Sequence, residues 1–314
     1  MHKTGHRAGT PPVLVPRRRL PRAWARRAPL LPALVFMAIV TQLPFLATLV
    51  ISFLDWNALR PDERGFAGFE NYTQVLSDPA SRSSLLTTVQ LTAGVVLLSL
   101  VLGLGAALLL IGKFHGRALV RTMFITPLLL VPVASALVWK HALYNPEYGL
   151  LNGVMTWFWS LFGSGSPPQL DWITSAPLSS VAVSLIWQWT PFMTLILLAG
   201  LQSRPIDAIE CARVDGANDW QIFRYLTLPH LQRYLELGIL LGSIYIVQNF
   251  DAVFTISSGG LGTANLPYTI YQSFYQGHDY GRASAAGILV VIGTIILAAL
   301  SLRLISTLLR EERS

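Results

Sequence analysis

Five stretches of the chain contain no charged residue and are long enough to cross a lipid bilayer as helices, which takes about 20 residues. They are residues 28–54, 83–112, 122–139, 172–203 and 283–302. Each predicts one transmembrane helix, and the third is expected to continue to about residue 143. With a sixth, weaker stretch, the pattern predicts an all-α membrane protein with spans at about residues 28–54, 84–112, 119–143, 176–202, 235–257 and 283–305.

The sixth stretch differs from the others because its charge-free core, residues 237–250, is only 14 residues long. A helix of that length is too short to span the membrane. Asp251 follows this core directly and is therefore expected to lie at membrane depth, where an ionisable side chain is costly and often functional.

The composition agrees with a lipid environment. Hydrophobic residues make up 53% of the chain and charged residues only 12%, whereas about 25% are charged in an ordinary soluble domain. The single cysteine, Cys211, excludes an intramolecular disulfide and a multi-cysteine zinc site. The sequence contains no G-x-x-x-x-G-K-[ST], H-E-x-x-H or G-x-S-x-G motif. We therefore expect this chain to have no catalytic residue, no metal site and no ATP site of its own.

The basic residues are unevenly distributed between the two sides of the predicted membrane. With the N-terminus inside, 18 of the 23 lysines and arginines fall in the inner segments and 5 in the outer ones. Positive charge concentrates on the cytoplasmic side of membrane proteins, so both termini and residues 203–229 are predicted to be cytoplasmic. The formal charge of +7 is then explained by topology and by anionic lipid, and it does not indicate a nucleic-acid partner.

The segments outside the spans predict three further features. Residues 1–27 are basic and proline-rich and are expected to form a disordered cytoplasmic tail, followed by one transmembrane domain at residues 28–310. The first apolar run is too long for the hydrophobic region of a cleaved signal peptide. Residues 144–171 contain three prolines and a Gly-Ser tract, so they predict an irregular external cap.

Residues 203–229 are polar although they lie between two strongly apolar stretches. Pro205 suits the start of a helix, and Gly216 suits the left-handed turn that ends one. Asn218 and Gln221 have the spacing of a capping box, and Pro229 is expected to end the second helix. The pattern predicts a helix, a sharp glycine turn and a second helix; a plain connector between spans is the alternative.

One motif in this segment resembles a known family. Glu210-Cys211-Ala212, then Gly216, then Leu226-Thr227-Leu228-Pro229 is similar to the E-A-A, G and I-x-L-P motif of permease subunits of binding-protein-dependent ABC importers. Cys211 and Leu226 depart from it conservatively, and Asp215-Gly216-Ala217 fits its usual D-G-A. Residues 68–72, 78–79, 187–193, 199–201 and 249–260 resemble the carbohydrate-uptake class of the same family.

The resemblance implies the type I ABC importer permease fold in the bacterial cytoplasmic (inner) membrane. It also implies a second permease subunit, two copies of a cytoplasmic ABC ATPase and an extracytoplasmic solute-binding protein, with ATP and magnesium bound by the ATPases. In this family the motif forms a coupling helix seated on the ATPase. The residues that would carry this role are Glu210, Cys211, Ala212, Asp215, Gly216, Ala217 and Pro229.

Polar residues within the fourth and fifth predicted spans are candidates for a solute path. Hydroxyl and amide groups beside aromatic rings suit a sugar or sugar alcohol, and packing between helices is an equally good explanation for each residue. Asp251 could instead hold the fifth span to the following external loop. The candidates are Ser184, Trp187 and Gln188 in the fourth span and Tyr245, Gln248, Asn249, Asp251 and Thr255 in the fifth; Tyr245, Gln248, Asp251 and Thr255 are expected to share one helix face.

Two other classes of membrane protein remain as alternatives. An ion-coupled secondary carrier would need no ATPase and could use Asp251 as a proton site, although no inverted repeat is visible. A non-transporting scaffold or sensor subunit would account for the spans but not for the motif. Within the carbohydrate-uptake class, residues 265–272 and 280–285 most resemble permeases for polyols and for mono- or disaccharides.

Overall fold

The computed structural model describes residues 30–112, 114–162, 167 and 169–311. The predicted tail, residues 1–27, lies outside the described residues. The α-helices are α1 (Leu31–Ile51), α2 (Glu70–Ser77), α3 (Pro79–Ile111), α4 (Arg117–Leu129), α5 (Pro132–Leu137), α6 (Leu150–Phe162), α7 (Trp172–Ser175), α8 (Pro177–Gln202), α9 (Ile206–Val214), α10 (Asp219–Ile222), α11 (Leu228–Val247), α12 (Asp251–Ile256), α13 (Leu266–Tyr271) and α14 (Tyr280–Glu311). Strands β1 (Leu54–Asp55) and β2 (Gly65–Phe66) form a short antiparallel pair.

Among the described residues, four helices are long and apolar enough to cross a membrane: α1, α3, α8 and the Tyr280–Leu300 part of α14. Their positions agree with the first, second, fourth and sixth predicted spans. The third predicted span, residues 119–143, is not one helix. The structure has α4 followed by the helical stretch Pro132–Leu143, bent by 99° from it. The bend has a local cause, because the residue before a proline is pushed out of the helical region, and Val131 precedes Pro132 in an extended conformation.

The fifth predicted span, residues 235–257, is also interrupted. Helix α11 ends at Val247, and α12 begins only at Asp251. The Asn249 side chain accepts a hydrogen bond from the backbone of Ala252, and the Asn265 amide donates to the Asn249 carbonyl. These side chains supply hydrogen-bond partners that a continuous helix would have provided.

Residues 144–171 also differ from the prediction, because they contain a regular helix, α6. The prolines and the Gly-Ser tract that suggested an irregular cap lie before and after this helix rather than inside it. Residues 150–162 have no helix-breaking proline, so nothing in them prevents a helix.

The core lies where α3, α8 and α11 cross. Met193 of α8 is 1% exposed and lies against glycines of both neighbouring helices. A Cβ atom at Gly103 would lie 2.8 Å from Met193 Cβ, and one at Gly242 would lie 2.5 Å from Met193 Cε. Small residues let membrane helices approach closely, and here they allow three helices to meet around one side chain.

The ends of α2, α3 and α14 are held together on one side of this core. The Asn71 side chain donates to the carbonyls of Ser52 and Leu54, both at 2.9 Å. Asp78 caps α3 and forms a 2.6 Å ion pair with Arg282 of α14. Burial raises the pKa of Asp78, but hydrogen bonds from Ser81 and Ala80 and the charge of Arg282 outweigh burial, so the pKa lies below its ordinary value.

The Asp78–Arg282 pair should contribute measurably to stability. Removing one partner leaves a half-buried charge uncompensated, so Arg282→Ala should lower the free energy of unfolding by about 1–3 kcal/mol in detergent. Arg60→Ala, which removes an ion pair whose side chains are 57% and 62% exposed, is the control and should change it little. Because folding lowers the Asp78 pKa, this contribution should be complete above pH 3.8 and be lost as the pH falls through the folded-state pKa. Equal thermal stability of both variants would contradict this assignment.

Candidate functional site

The 203–229 segment has the helix–glycine–helix form expected from its sequence. Helix α9 ends at Val214, and Gly216 follows two residues later with a φ of 88°, in the left-handed region that glycine adopts without strain. The backbone N–H groups of Gly216 and Ala217 donate to the carbonyls of Arg213 and Ala212, which is the Schellman arrangement. Asn218 and Gln221 then form a reciprocal capping box, with both hydrogen bonds 2.8 Å long.

The second helix of the segment does not end at Pro229, contrary to expectation. Helix α10 continues through a π-helical turn, Phe223–Thr227, directly into α11, in which Pro229 lies in the first turn. A proline lacks the N–H that an α-helix would use and its ring crowds the preceding turn. The wider π turn just before Pro229 accommodates both effects, so the chain continues as a helix from Asp219 to Val247.

The two ends of the segment are joined to each other, which the sequence did not predict. Arg204 donates to the Leu201 carbonyl at 2.9 Å and to the Thr227 hydroxyl at 3.0 Å. Burial, and then the charge of Arg213, lowers the pKa of Arg204 below its ordinary value. Thr227 is 1% exposed, so this bond is made inside the protein. Because the bonded residues are far apart in sequence, no local spacing could have revealed the contact.

Ser203 makes a second connection between the same two ends. Its hydroxyl lies 3.1 Å from His230 Nε2 and 2.8 Å from the Tyr234 hydroxyl. Gly200 permits this approach, because a Cβ atom there would lie 2.6 Å from the Tyr234 ring. We call Ser203, Arg204, Thr227, His230 and Tyr234 the clamp. It ties the end of α8 to the start of α11.

Between its clamped ends, the segment offers an exposed surface with apolar and acidic groups. Ile206, Val214, Trp220 and Tyr225 are between 67% and 88% exposed. Glu210 is exposed, and within the part of the chain that the structure describes its carboxylate has no hydrogen-bond or ion-pair partner. Of the other motif residues, Cys211, Asp215 and Gly216 are exposed, whereas Ala212, Ala217 and Pro229 are half-buried. The exposed surface is suited to contact with another protein.

The structure does not place the polar residues of the predicted fifth span on one helix face. Tyr245 and Gln248 are exposed at the end of α11, and the Tyr245 ring lies 5.2 Å from that of Trp189 in α8. Asp251 and Thr255 lie beyond the break, in α12, where both are half-buried. The expected periodicity assumed a continuous helix, and the break at residues 248–250 removes it. Asn249 lies in the break itself, where it stabilises the chain as described above.

The polar candidates of the predicted fourth span differ from Tyr245 in their burial. Ser184 and Gln188 are buried, and their polar groups contact the Val181 carbonyl at 2.7 Å and the Leu130 carbonyl at 3.4 Å, respectively. Trp187 is exposed and packs edge-on against Trp139. Both tryptophans line an apolar cavity of about 760 Å³ between α3, α4 and α8. Ser184 therefore bonds within its own helix, Gln188 contacts the residue that follows α4, and Trp187 faces an apolar space.

Lys140 makes a contact with a distant helix that the sequence did not indicate. Its ammonium group donates a 2.7 Å hydrogen bond to the carbonyl of Thr255, at the C-terminal end of α12. A cation is favourable at that end of a helix, because the backbone dipoles leave partial negative charge there. Lys140 thus ties the bent third span to the broken fifth span. Among the described residues, no group of three or more His, Cys, Asp or Glu side chains could hold a metal ion.

Comparison with known proteins places the chain among transporter subunits. The sequence profile of the family described as "Binding-protein-dependent transport system inner membrane component" matches residues 31–311. A probable ABC transporter permease protein of Sinorhizobium fredii, y4oQ, is 33% identical over 273 residues, which cover 86% of each chain. The trehalose/maltose transport system permease protein MalF of Thermococcus litoralis is 34% identical, over 84% of this chain and 87% of that one. The trehalose transport system permease protein SugA of Mycobacterium tuberculosis is 29% identical, over 87% of this chain and 86% of that one.

The fold is shared with solved structures. A chain from the crystal structure of a bacterial ABC transporter involved in the import of the acidic polysaccharide alginate matches with a TM-score of 0.75 and 20% identity. The match covers 91% of this chain and 96% of that one. A second crystal structure, of a bacterial alginate ABC transporter in complex with an alginate pentasaccharide-bound periplasmic protein, gives a TM-score of 0.74 at 20% identity, over 89% and 93% of the two chains.

The clamp should hold α9 in place. Arg204→Ala removes two hydrogen bonds, each worth about 0.5–1.5 kcal/mol, so backbone amides of residues 206–214 should exchange with deuterium faster in the full chain. Arg213→Ala is the matched control, because it removes the 3.5 Å, solvent-exposed contact with Asp219 and no hydrogen bond of the clamp. Hydrogen–deuterium exchange read by mass spectrometry measures the difference. If the two variants exchanged alike, the clamp would have no role in ordering α9.

Proposed function

Because the chain belongs to the family of binding-protein-dependent transport system inner membrane components, we propose that its 203–229 segment is the coupling element on which a cytoplasmic ATPase subunit is seated. The chain is a membrane-spanning subunit of a solute importer and is not an enzyme, since ATP is hydrolysed by separate subunits of such importers. A secondary carrier and a non-transporting scaffold are not favoured.

One observation supports the proposal for residues 203–229: hydrogen bonds fix the two ends of the segment to each other, and the residues between them are exposed. The clamp fixes Ser203 and Arg204 against Thr227, His230 and Tyr234. A rigid-body movement of a partner can reach membrane helices only through an element that does not bend under load. The segment is continuous with α8 at one end and α11 at the other, so a displacement of α9 moves both helices.

The exposed surface of the 203–229 segment, which we call the seat, supplies the contacts that binding of an ATPase needs. Glu210 offers an unpaired carboxylate to a cationic group, and Ile206, Val214 and Trp220 offer apolar area around it. Ala212 and Ala217 keep the backbone of the turn accessible, and Gly216 sets the angle between the two helices. Cys211 and Asp215 complete the seat, and Pro229 lies in the first turn of α11 behind it. A charge framed by apolar residues is a common arrangement for a binding hot spot.

The proposed topology has six spans in the bacterial inner membrane with both termini in the cytoplasm. The third and fifth spans are the bent pair and the interrupted pair described above. The support is the concentration of lysine and arginine in the segments assigned to the inside, 18 of 23. The domain is residues 28–310, preceded by the basic tail at residues 1–27.

The solute is proposed to be a sugar or sugar alcohol, and the chain to form half of its path together with a second permease subunit. The rings of Trp189 and Tyr245 lie 5.2 Å apart, and Gln248, three residues after Tyr245, is exposed. Ring faces suit the C–H faces of a sugar, and an amide suits its hydroxyls. Two of the relatives are named as trehalose or trehalose/maltose permeases. Two ATPase copies, carrying ATP and magnesium, and an extracytoplasmic solute-binding protein complete the proposed assembly.

The coupling role is tested by reversing the charge at the centre of the seat. Glu210→Lys should leave the subunit in the membrane but uncouple ATP hydrolysis from uptake, because a buried like-charge contact with the partner costs about 2–5 kcal/mol. Gly216→Pro should do the same by changing the turn. Uptake and ATPase activity are measured in proteoliposomes, with Glu147→Lys, an exposed charge reversal outside the segment, as control. Normal solute-stimulated hydrolysis with normal uptake in Glu210→Lys would exclude the seat.

The solute path is tested at the exposed end of α11. Gln248→Ala removes the proposed neutral hydrogen bond between the amide and the solute, worth about 0.5–1.5 kcal/mol, so the KM for uptake should rise roughly twofold to tenfold. Gln232→Ala is the matched control on the same helix, since the Gln232 amide is bonded to Glu236 at 2.9 Å. Unchanged KM in Gln248→Ala, or an equal rise in both variants, would place the path elsewhere.

A further inference from the structure

Helix α6 carries two distinct stripes along its 13 residues. Leu150, Val154, Trp157 and Leu161 recur at spacings of four, three and four, so they lie on one face, and they are 53–64% exposed. Asn152, Thr156 and Ser160 recur every four residues on a different face. No residue of the helix is charged. The helix is therefore amphipathic, with its apolar stripe turned away from the rest of the described protein.

The protein holds this helix only by its first turns. Of the thirteen helix residues, only Leu151, Asn152 and Met155 are not exposed. The Asn152 amide donates to the carbonyls of Pro146 at 3.1 Å and Leu170 at 2.9 Å, and its oxygen accepts from Trp172 Nε1 at 3.0 Å. Every residue from Thr156 to Phe162 is exposed, including Phe158 and Phe162. Asn152 therefore fixes the rotation of α6 about its own axis. The second half of the helix projects beyond the rest of the described protein.

The attachments also place the helix at the end of a membrane span. The Tyr144 hydroxyl donates to the Ser180 carbonyl at 2.8 Å, in the first turn of α8. The six residues 144–149 lead to the start of α6 at Leu150, and a chain of that length spans at most about 20 Å. Trp172, whose indole N–H donates to Asn152, also accepts a 2.8 Å hydrogen bond at its backbone carbonyl from the Ser180 hydroxyl. The start of α6 is thus fixed to the end of α8 that lies opposite the 203–229 segment.

We propose that α6 lies in the plane of the membrane at this surface, with the apolar stripe inserted among the lipid chains. The helix is about 20 Å long, too short to cross the bilayer. Amphipathic helices without a spanning length lie in the interface, where tryptophan and other aromatic residues are favoured. The spans on both sides of α6 are themselves in lipid, so the bilayer is the apolar phase within reach of the exposed stripe. The inference depends on the chain being a membrane subunit and not on the proposed coupling seat.

Spin labels on the two stripes test this proposal directly. In the full chain assembled with its partner subunits in phosphatidylethanolamine–phosphatidylglycerol nanodiscs, Cys211→Ser leaves no native cysteine. A nitroxide is then attached to Trp157→Cys or Leu161→Cys on the apolar stripe, or to Thr156→Cys or Ser160→Cys as matched controls on the polar stripe. Power saturation measures collision with oxygen, which concentrates in lipid, and with a nickel chelate, which stays in water.

We expect the ratio of oxygen to nickel accessibility to be several-fold higher at residues 157 and 161 than at residues 156 and 160. Equal, nickel-dominated accessibility at all four positions would mean that the helix stands in water and would overturn it. Low accessibility to both reagents at residues 157 and 161 would mean that a protein, such as the second permease or a binding protein, covers the stripe, and it would overturn the proposal as well.

Discussion

Lipid offers no hydrogen-bond partner to a backbone group, so a membrane helix can break only where the protein itself satisfies the freed groups. The bends in this protein meet that constraint with side chains from other elements. Gln188 of α8 contacts the Leu130 carbonyl, Asn265 donates to the Asn249 carbonyl, and Lys140 donates to the Thr255 carbonyl. The first two bonds lie at breaks, and all three tie separate parts of the chain together.

Helices α3, α8 and α11 pack closely around Met193, against Gly103 and Gly242. The same two helices, α8 and α11, are joined again at the clamp through Ser203 and Arg204. They also carry Trp189 and Tyr245, the aromatic pair of the proposed path. The proposed seat and the proposed path are therefore connected by two stiff helices rather than by a flexible chain. That connection is what an importer subunit driven from the cytoplasm requires.

The elements that could be predicted from sequence are those decided by neighbouring residues. Apolar runs of sufficient length identified four spans that the structure has as long apolar helices. The turn at Gly216 and the capping box of Asn218 and Gln221 were predictable because each depends on residues within about four positions. The motif around Glu210 indicated the family, which the comparisons confirm.

Several further features could not be predicted from the spacing of neighbouring residues. The break after Val247 separated Tyr245 and Gln248 from Asp251 and Thr255, and the π turn before Pro229 let a helix continue where an end was expected. The clamp joins residues more than 20 positions apart, and α6 is oriented by the bonds of Asn152 to residues on either side of it. The sequence by itself determined which segments form long apolar helices and which turns form, because these depend on local composition and backbone chemistry. Only the tertiary structure decided where the predicted fifth span breaks and which polar groups meet, because those depend on partners that the chain brings together when it folds.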